Sequence, residues 1–122
     1  MAYDTQAADG IRVVLSARHD VVEKKMMGGL VFMVAVHMCI VASGRGGLLV
    51  RVGAKVQRRA LGEPHVKPMT MAGRPMTDFV RVMPEGYRTA AGLRKWVRRG
   101  LDFIVTLPPK PARRKTPLRP KR

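Results

Sequence analysis

Apolar residues near the start of the chain recur at the spacing of an α-helix. Within residues 4–18, the side chains that fall on one stripe of a helix with about 3.6 residues per turn are Ala7, Ile11, Val14 and Leu15. Asp4 or Thr5 can cap this segment by accepting a hydrogen bond from a free backbone N–H of the first turn. The pattern therefore predicts an amphipathic helix at the beginning of the chain.

The chain then changes to a pattern typical of β-strands. Val21 and Val22 lead through KKMMGG into a run of Val, Ile, Phe and Met that ends near Ala42. Such β-branched and apolar runs, with a glycine pair between them, predict consecutive antiparallel strands. A glycine-rich turn over residues 44–47 separates this run from LLVRV at residues 48–52, which predicts a further strand with the side chain of Arg51 facing outward.

The second half of the chain predicts two helices with an irregular region between them. Residues 54–61 form a short amphipathic segment. From residue 62 the turn-forming residues are expected to exclude long regular structure, until FVRVMP at residues 79–84 alternates as one more strand. These turn formers are Pro64, Pro68, Gly73 and Pro75.

The clearest prediction is a closing helix. Thr89 can cap it, and Pro108 with Pro109 ends it. Its apolar stripe consists of Leu93, Trp96, Val97, Gly100, Leu101 and Ile104. The indole of Trp96 is therefore expected in the core rather than on a surface that stacks nucleic-acid bases.

Charge adds a second feature to this single-domain pattern. The 122 residues carry 24 Lys and Arg against 8 Asp and Glu, a formal net charge of +16. Residues 110–122 contribute seven cations and no acid, together with three prolines, so we expect a disordered basic tail after a domain at residues 1–109. Such a charge attracts polyanions without determining the fold.

A membrane-spanning helix is one interpretation of the longest stretch without a charged side chain. Residues 26–43 are at the lower limit of spanning length, contain a glycine pair and His37, and are read as buried strand instead. The N-terminus has no positively charged segment followed by an apolar one, so it does not resemble a secretory signal. We therefore expect a cytoplasmic protein without a membrane partner, and its single cysteine excludes an intramolecular disulfide.

Three stretches together resemble the TfoX N-terminal domain family. They are KKMMGGLVF at residues 24–32, AGRPMTDFVRVMP at 72–84 and LRKWVRRGLDFIVTLPPK at 93–110. Their order and spacing match the glycine-paired hairpin, the Gly-Arg-Pro-Met turn with its following strand, and the closing helix that ends in Leu-Pro-Pro. The likeness covers about residues 3–110. Two features depart from the family pattern: Met27 replaces the usual Phe, and AVHMC at 35–39 replaces a polar hairpin turn.

The resemblance implies an α+β fold in which an N-terminal and a C-terminal helix pack on an antiparallel sheet. It also implies a link to the TfoX/Sxy regulators of bacterial competence for DNA uptake. Those regulators carry a second, C-terminal domain with no counterpart in these residues, so a stand-alone member is expected. No defined biochemical activity comes with the resemblance, and the basic tail lies outside the family pattern.

Residues suited to catalysis or metal binding are few. His37 and Cys39 share a face if they lie on a strand, so they could be two metal ligands. Two ligands do not make a metal site, and we expect these side chains to be buried in the core instead. The eight carboxylates show no paired spacing for acid–base work. We therefore expect no enzyme activity, no cofactor and no metal; an unrecognised enzyme would need a ligand-sized pocket lined by His37, Cys39 or Arg74.

Two hypotheses about partners remain open. In the first, the protein is a regulatory or adaptor module that contacts another protein of unknown identity, on a transcription or competence pathway. In the second, it binds nucleic acid without sequence specificity through its tail. The candidate contact residues for an acidic partner or nucleic acid are Lys24, Lys25, Arg74, Arg94, Lys95, Arg98, Arg99, Lys110, Arg113, Arg114, Lys115, Arg119, Lys121 and Arg122. A purely structural role is the alternative for KKMMGG, for Arg74 in its turn and for the solubilising tail.

Overall fold

The computed structural model describes residues 3–26 and 28–108, and the predicted tail at 110–122 lies outside this range. The fold is α+β, as predicted. A single 3-10 turn at Pro84–Gly86 precedes the last helix. In chain order the elements are α1 (Thr5–Val14), β1 (Val21–Met26), β2 (Gly29–Val34), β3 (His37–Ala42), β4 (Leu48–Arg51), α2 (Ala54–Ala60), β5 (Val66–Met71), β6 (Arg74–Val82) and α3 (Ala90–Ile104).

All six strands form one antiparallel sheet in the order β1-β2-β3-β4-β6-β5. Helix α3 packs on β3 and β4 and against α1, while α2 packs on β6. Asp4 caps α1 by accepting from the Ala7 N–H at 3.0 Å, and Thr89 caps α3 by accepting from the Gly92 N–H at 2.9 Å. Both capping predictions are confirmed, and each cap satisfies a backbone donor that the helix itself leaves free.

Helix α1 is shorter than its sequence pattern predicted. It ends at Val14, with Leu15 as the capping residue rather than the last helical one. The hydroxyl of Ser16 donates to the carbonyl of Val13 at 2.8 Å, and the Ser16 N–H points to the same carbonyl. This local bonding competes with the helical pattern and closes the chain into a turn.

The main core lies between the sheet and the helices. The predicted stripe of α3 is confirmed, since Trp96 and Val97 are buried against sheet residues such as Phe32, Ile40 and Val50. Because side chains alternate along a strand, the residues between these core positions point to the opposite face of the sheet. That face carries a second, smaller cluster built from Val31, Val41, Leu49, Met69 and Phe79, with Met33, Met38 and Met76 partly buried around it.

The region that was expected to be irregular contains a β-hairpin, and that prediction is wrong. Residues 66–71 and 74–82 pair as β5 and β6 around a tight turn at Ala72 and Gly73, both with positive φ. Strand β5 is the edge of the sheet, and its pairing shifts between Pro68 and Thr70. Proline is tolerated at an edge or a bulge because no interior ladder bond is lost there, which accounts for Pro68. Pro75 in β6 precedes residues 79–82, which pair with β4, so it too costs no bond between those strands.

The glycine pair brings two hairpins into backbone contact. Gly28 has φ +74°, and a Cβ added to Gly44 would overlap the carbonyl of Gly28. Likewise, a Cβ added to Gly29 would overlap the carbonyl oxygen of Ala42. The β1–β2 turn and the end of β3 can therefore approach this closely only because the residues at the contact lack side chains.

The charge-free segment forms strands rather than a helix. Most of it lies in β2 and β3, joined by a two-residue turn in which Ala35 and Val36 have φ of 50° and 63°. The resemblance had implied a polar turn at this place. Within residues 3–26 and 28–108, no helix is long and apolar enough to cross a membrane.

Candidate functional site

The two residues that were considered for metal binding have different surroundings. The Cys39 thiol is buried in the main core, and burial raises its pKa to about 12. His37 Nε2 lies 3.1 Å from the carbonyl oxygen of Pro108, to which it donates in the Nε2–H tautomer. Among the residues described, no three His, Cys, Asp or Glu side chains converge as metal ligands would. A protonated, enclosed thiol is also a poor nucleophile.

Two of the four cations predicted on the closing helix have structural partners. Arg99 Nη1 lies 2.8 Å from Glu63 Oε2, although the angle does not make a directed hydrogen bond, and Lys95 Nζ lies 3.9 Å from Glu63 Oε1. The Arg99 guanidinium also lies 4.5 Å from the ring centroid of Trp96. Glu63 therefore anchors the loop after α2 to α3, a role that its isolated position in the sequence does not indicate.

The other two cations on α3 are exposed. Arg94 and Arg98 make no ion pair with any acid of the chain, all eight of which lie within the described residues. Arg74 is likewise exposed, at the start of β6 opposite Met71, and its side chain makes no hydrogen bond or ion pair with residues 3–26 or 28–108. The predicted tail cations lie outside the described residues: Lys110, Arg113, Arg114, Lys115, Arg119, Lys121 and Arg122.

Lys24 and Lys25 are not grouped with the arginines of α3. They lie on β1, the outer edge strand, whereas α3 packs over β3 and β4. Lys24 is opposite Val31 of the second cluster, and Lys25 is opposite Leu30 of the main core, so their side chains leave opposite faces of the sheet. The described cations are consequently spread over several surfaces rather than gathered on one.

Arg51 does not face outward freely, contrary to the sequence interpretation. Its Nη2 lies 3.5 Å from Asp78 Oδ2, and its guanidinium carbon lies 5.9 and 5.5 Å from the ring centroids of Phe79 and Phe103. Nη1 donates to the carbonyl of Met38 at 3.4 Å. Arg51 thus connects the end of β4 to β3, β6 and α3, because α3 lies across this end of the sheet.

A family model of the TfoX N-terminal domain matches residues 14–104 of the chain. The chain belongs to the TfoX N-terminal domain family. No match was found among curated proteins, and none was found among solved structures. The match spans β1 to α3, and so includes all three stretches that carried the resemblance up to residue 104.

In this TfoX-type domain the family motifs occupy structural positions. The glycine pair forms the backbone contact with Gly44, and Gly73 of the Gly-Arg-Pro-Met motif supplies the β5–β6 turn. The Leu-Pro end of α3 reaches the His37 side chain through the Pro108 carbonyl. Each motif therefore has a packing explanation, and a further binding role for the KKMMGG lysines or for Arg74 stays a prediction.

Two sizeable clefts lie among the described residues. The larger, about 660 Å³, lies between α2 and α3, and its charges of both signs are closely matched. They come from Lys55, Arg59, Glu63, Asp78, Arg99 and Asp102. The other, about 540 Å³, lies between the β3–β4 turn and the β5–β6 hairpin and is lined by Arg45 and Arg81 but by no acid. The sequence interpretation missed this second cleft because it did not predict β5.

Proposed function

We propose that this protein is a non-enzymatic regulatory module of the TfoX type that acts in the cytoplasm by binding another protein, on a transcription or competence pathway. Membership of the TfoX N-terminal domain family supports the regulatory role. The Cys39 thiol is enclosed and protonated, so the proposal gives it no catalytic role.

The observation that carries this proposal is the open edge of the sheet at β1. Five of its six residues are exposed, including Val22 at 53% and Met26 at 40% of their full accessible surface. One side of β1 pairs with β2, and no strand of residues 3–26 or 28–108 pairs with the other side, which presents backbone N–H and C=O groups. Such an edge can take an extended partner segment as an additional strand.

Charge indicates which kind of segment would fit. Lys24 and Lys25 place a cation on each face of β1, and Glu23, the one acid of the strand, already pairs with Arg12 at 2.7 Å. Lysines at an edge also repel a second copy of the same strand, which protects against self-association. An acidic extended segment of another protein would be attracted where a second copy is repelled.

The test uses the whole protein in its host cell with a photo-crosslinking residue at Val22. Val105, which is 71% exposed at the end of α3, provides the matched control position. We expect crosslinking of one protein from position 22 but not from 105. The charge reversal Lys24→Glu should reduce crosslinking from position 22, whereas Lys55→Glu on α2 should not.

The identified partner is then purified and added to the protein. Protection of the β1 amides from hydrogen exchange, together with an acidic crosslinked peptide, would support edge binding. The proposal fails if both positions capture the same proteins, or if the purified partner protects another surface while the exchange of residues 21–26 is unchanged.

Nonspecific binding of nucleic acid is the second candidate, and the charge inventory favours it. Residues 3–108 contain 17 cations, and five of them lie in ion pairs, which leaves twelve without an acidic partner. The five paired cations are Arg12, Arg18, Arg51, Lys95 and Arg99. The tail adds seven further cations in sequence.

Fluorescence anisotropy with duplex and single-stranded DNA and RNA across a salt series distinguishes this candidate. The full chain is compared with one ending at Pro109. If the tail neutralises about five phosphates, its removal should make the slope of log K against log salt concentration less steep by about 4.5. Absence of binding at moderate salt would exclude the second candidate and leave protein binding.

A further inference from the structure

The cleft beneath the β5–β6 hairpin has a fixed arginine in its wall. Arg81 Nη1 donates to the hydroxyl of Ser43 at 3.1 Å and also to the carbonyl of Gly46. The Ser43 hydroxyl in turn accepts from the Arg45 N–H at 3.1 Å. These bonds hold the guanidinium in place against the β3–β4 turn, so its position does not depend on a ligand.

The rest of the Arg81 guanidinium remains available. Its Nε and Nη2 groups make no hydrogen bond to residues 3–26 or 28–108. Together these two nitrogens form the edge that binds two oxygens of a phosphate or carboxylate. Burial lowers the pKa of Arg81, and the nearby charge of Arg45 lowers it further. The guanidinium therefore lies where its charge is poorly solvated and is repelled by a second cation.

No Asp or Glu side chain lies in this cleft. All eight of these residues are in the described part of the chain, and none lines the cleft. Lys67 lies directly opposite Arg81 across the β5–β6 pair and adds another cation nearby. An anion from solution would relieve the repulsion among these groups and use the free edge of Arg81.

The remaining walls are apolar or small. Val41, Leu49 and Met69 form the floor, where they belong to the second cluster, and the turn at Ala72 and Gly73 borders the opening. We propose that this cleft binds a small organic anion, a phosphate or carboxylate joined to an apolar body, with Arg81 and Arg45 holding the anionic group. The site lies on another surface than β1 and is independent of the protein-binding role.

The test is a titration of the ¹⁵N-labelled full chain followed by backbone amide shifts at constant ionic strength. Phenyl phosphate and benzoate are the probes, because they carry the two anionic groups on the same ring, and phenol is the neutral control. We expect saturable shifts confined to residues 41–46, 69–73 and 81. The stronger of the two probes identifies the anionic group that the cleft prefers.

Two variants distinguish a specific anion-binding site from nonspecific attraction to a basic surface. Arg45→Gln removes a cleft cation whose side chain makes no hydrogen bond within the described residues, so it leaves the turn intact. It should weaken binding of the preferred probe about tenfold. Arg74→Gln makes the same change in charge outside the cleft and should alter the affinity less than about twofold.

Three results would overturn the proposal. The first is an absence of saturable shifts in the cleft with both anionic probes. The second is an equal loss of affinity in Arg45→Gln and Arg74→Gln, which would indicate diffuse electrostatic attraction. The third is binding of phenol as tight as that of the anions, which would make the cleft an apolar pocket only.

Discussion

Replacing Gly44 with alanine tests the backbone contact between the two hairpins. A Cβ at this position would overlap the carbonyl oxygen and carbon of Gly28, which are main-chain atoms and cannot rotate away as a side chain could. Overpacking of this kind costs about 1–3 kcal/mol. Alanine also restricts the unfolded chain, which returns about 0.4–1 kcal/mol. Because the overlapped atoms belong to the backbone, the cost of overpacking lies at the upper end of its range, so Gly44→Ala should lower the free energy of unfolding by about 2 kcal/mol.

Gly62→Ala provides a control with the same chemical change. The nearest atom to a Cβ at Gly62 is the carbonyl oxygen of Arg59 at 3.5 Å, which is ordinary contact. Only the effect on the unfolded chain then remains, so this variant should be as stable as the original or more stable by about 0.4–1 kcal/mol.

Urea unfolding followed by tryptophan fluorescence measures both variants. Trp96 is the single tryptophan of the chain and is buried in the main core, so its emission reports on the folded domain. In thermal melts the expected loss for Gly44→Ala corresponds to a decrease in Tm of about 8 °C. If the free energies of unfolding of Gly44→Ala and Gly62→Ala agree within about 0.5 kcal/mol, the inferred close contact between the backbones at Gly44 and Gly28 is wrong.

Three further variants test other features. Val36→Gly should relieve about 1–2 kcal/mol of strain at φ 63°, while the freer unfolded chain offsets about 0.4–1 kcal/mol, so the protein should gain about 0.8 kcal/mol in urea unfolding; a loss of stability would contradict this. Glu63→Gln should cost about 1 kcal/mol by removing the charge beside Arg99, and an unchanged midpoint would show that this pair contributes nothing. Burial raises the pKa of Cys39 from 9.0 to about 12, so the unfolded chain loses this proton first and stability should fall above pH 9 by up to about 1.4 kcal/mol per pH unit. Cys39→Ala should lack this component of the pH profile, and identical profiles would refute it.

The predictions made from helix periodicity were the most reliable ones. The stripe on α3 was predicted residue by residue, because its apolar positions repeat over four turns between a capping threonine and two prolines. Helix α2 was also predicted, although it is only seven residues long. For α3 the pattern and both ends of the helix indicate the same element, so tertiary contacts had little to override.

The sequence was misleading where tertiary position decides what a residue can do. Pro68 argues against a strand only inside a sheet, and the sequence does not indicate that β5 is an edge. Pro75 lies in β6 before the residues, 79–82, that pair with β4, so no bond to β4 is lost there. Ala35 and Val36 carry no turn signal, yet they form the β2–β3 turn because the strands on both sides are buried. Neighbouring structure imposes the backbone conformation at both places.

The candidate site was the least predictable feature. Arg81 alternates with Val80 and Val82 in β6, and that alternation alone suggests a solvent-exposed cation. Its half-buried environment arises from Ser43 and Gly46, which are distant in sequence and meet it only because β4 and β6 are neighbours in the sheet. Likewise, nothing local to Glu63 indicates that it pairs with Arg99.

The two edges of the sheet are protected by different physical means. Strand β5 contains a proline and an irregular pairing, and this covalent and geometric protection does not depend on the solvent. Strand β1 relies on the charge of Lys24 and Lys25, whose reach contracts from about 10 Å at 0.1 M salt to about 3 Å at 1 M. Concentrated salt should therefore make the protein associate through β1 first, and light scattering should show an onset that Lys24→Glu shifts and Lys67→Glu on β5 does not.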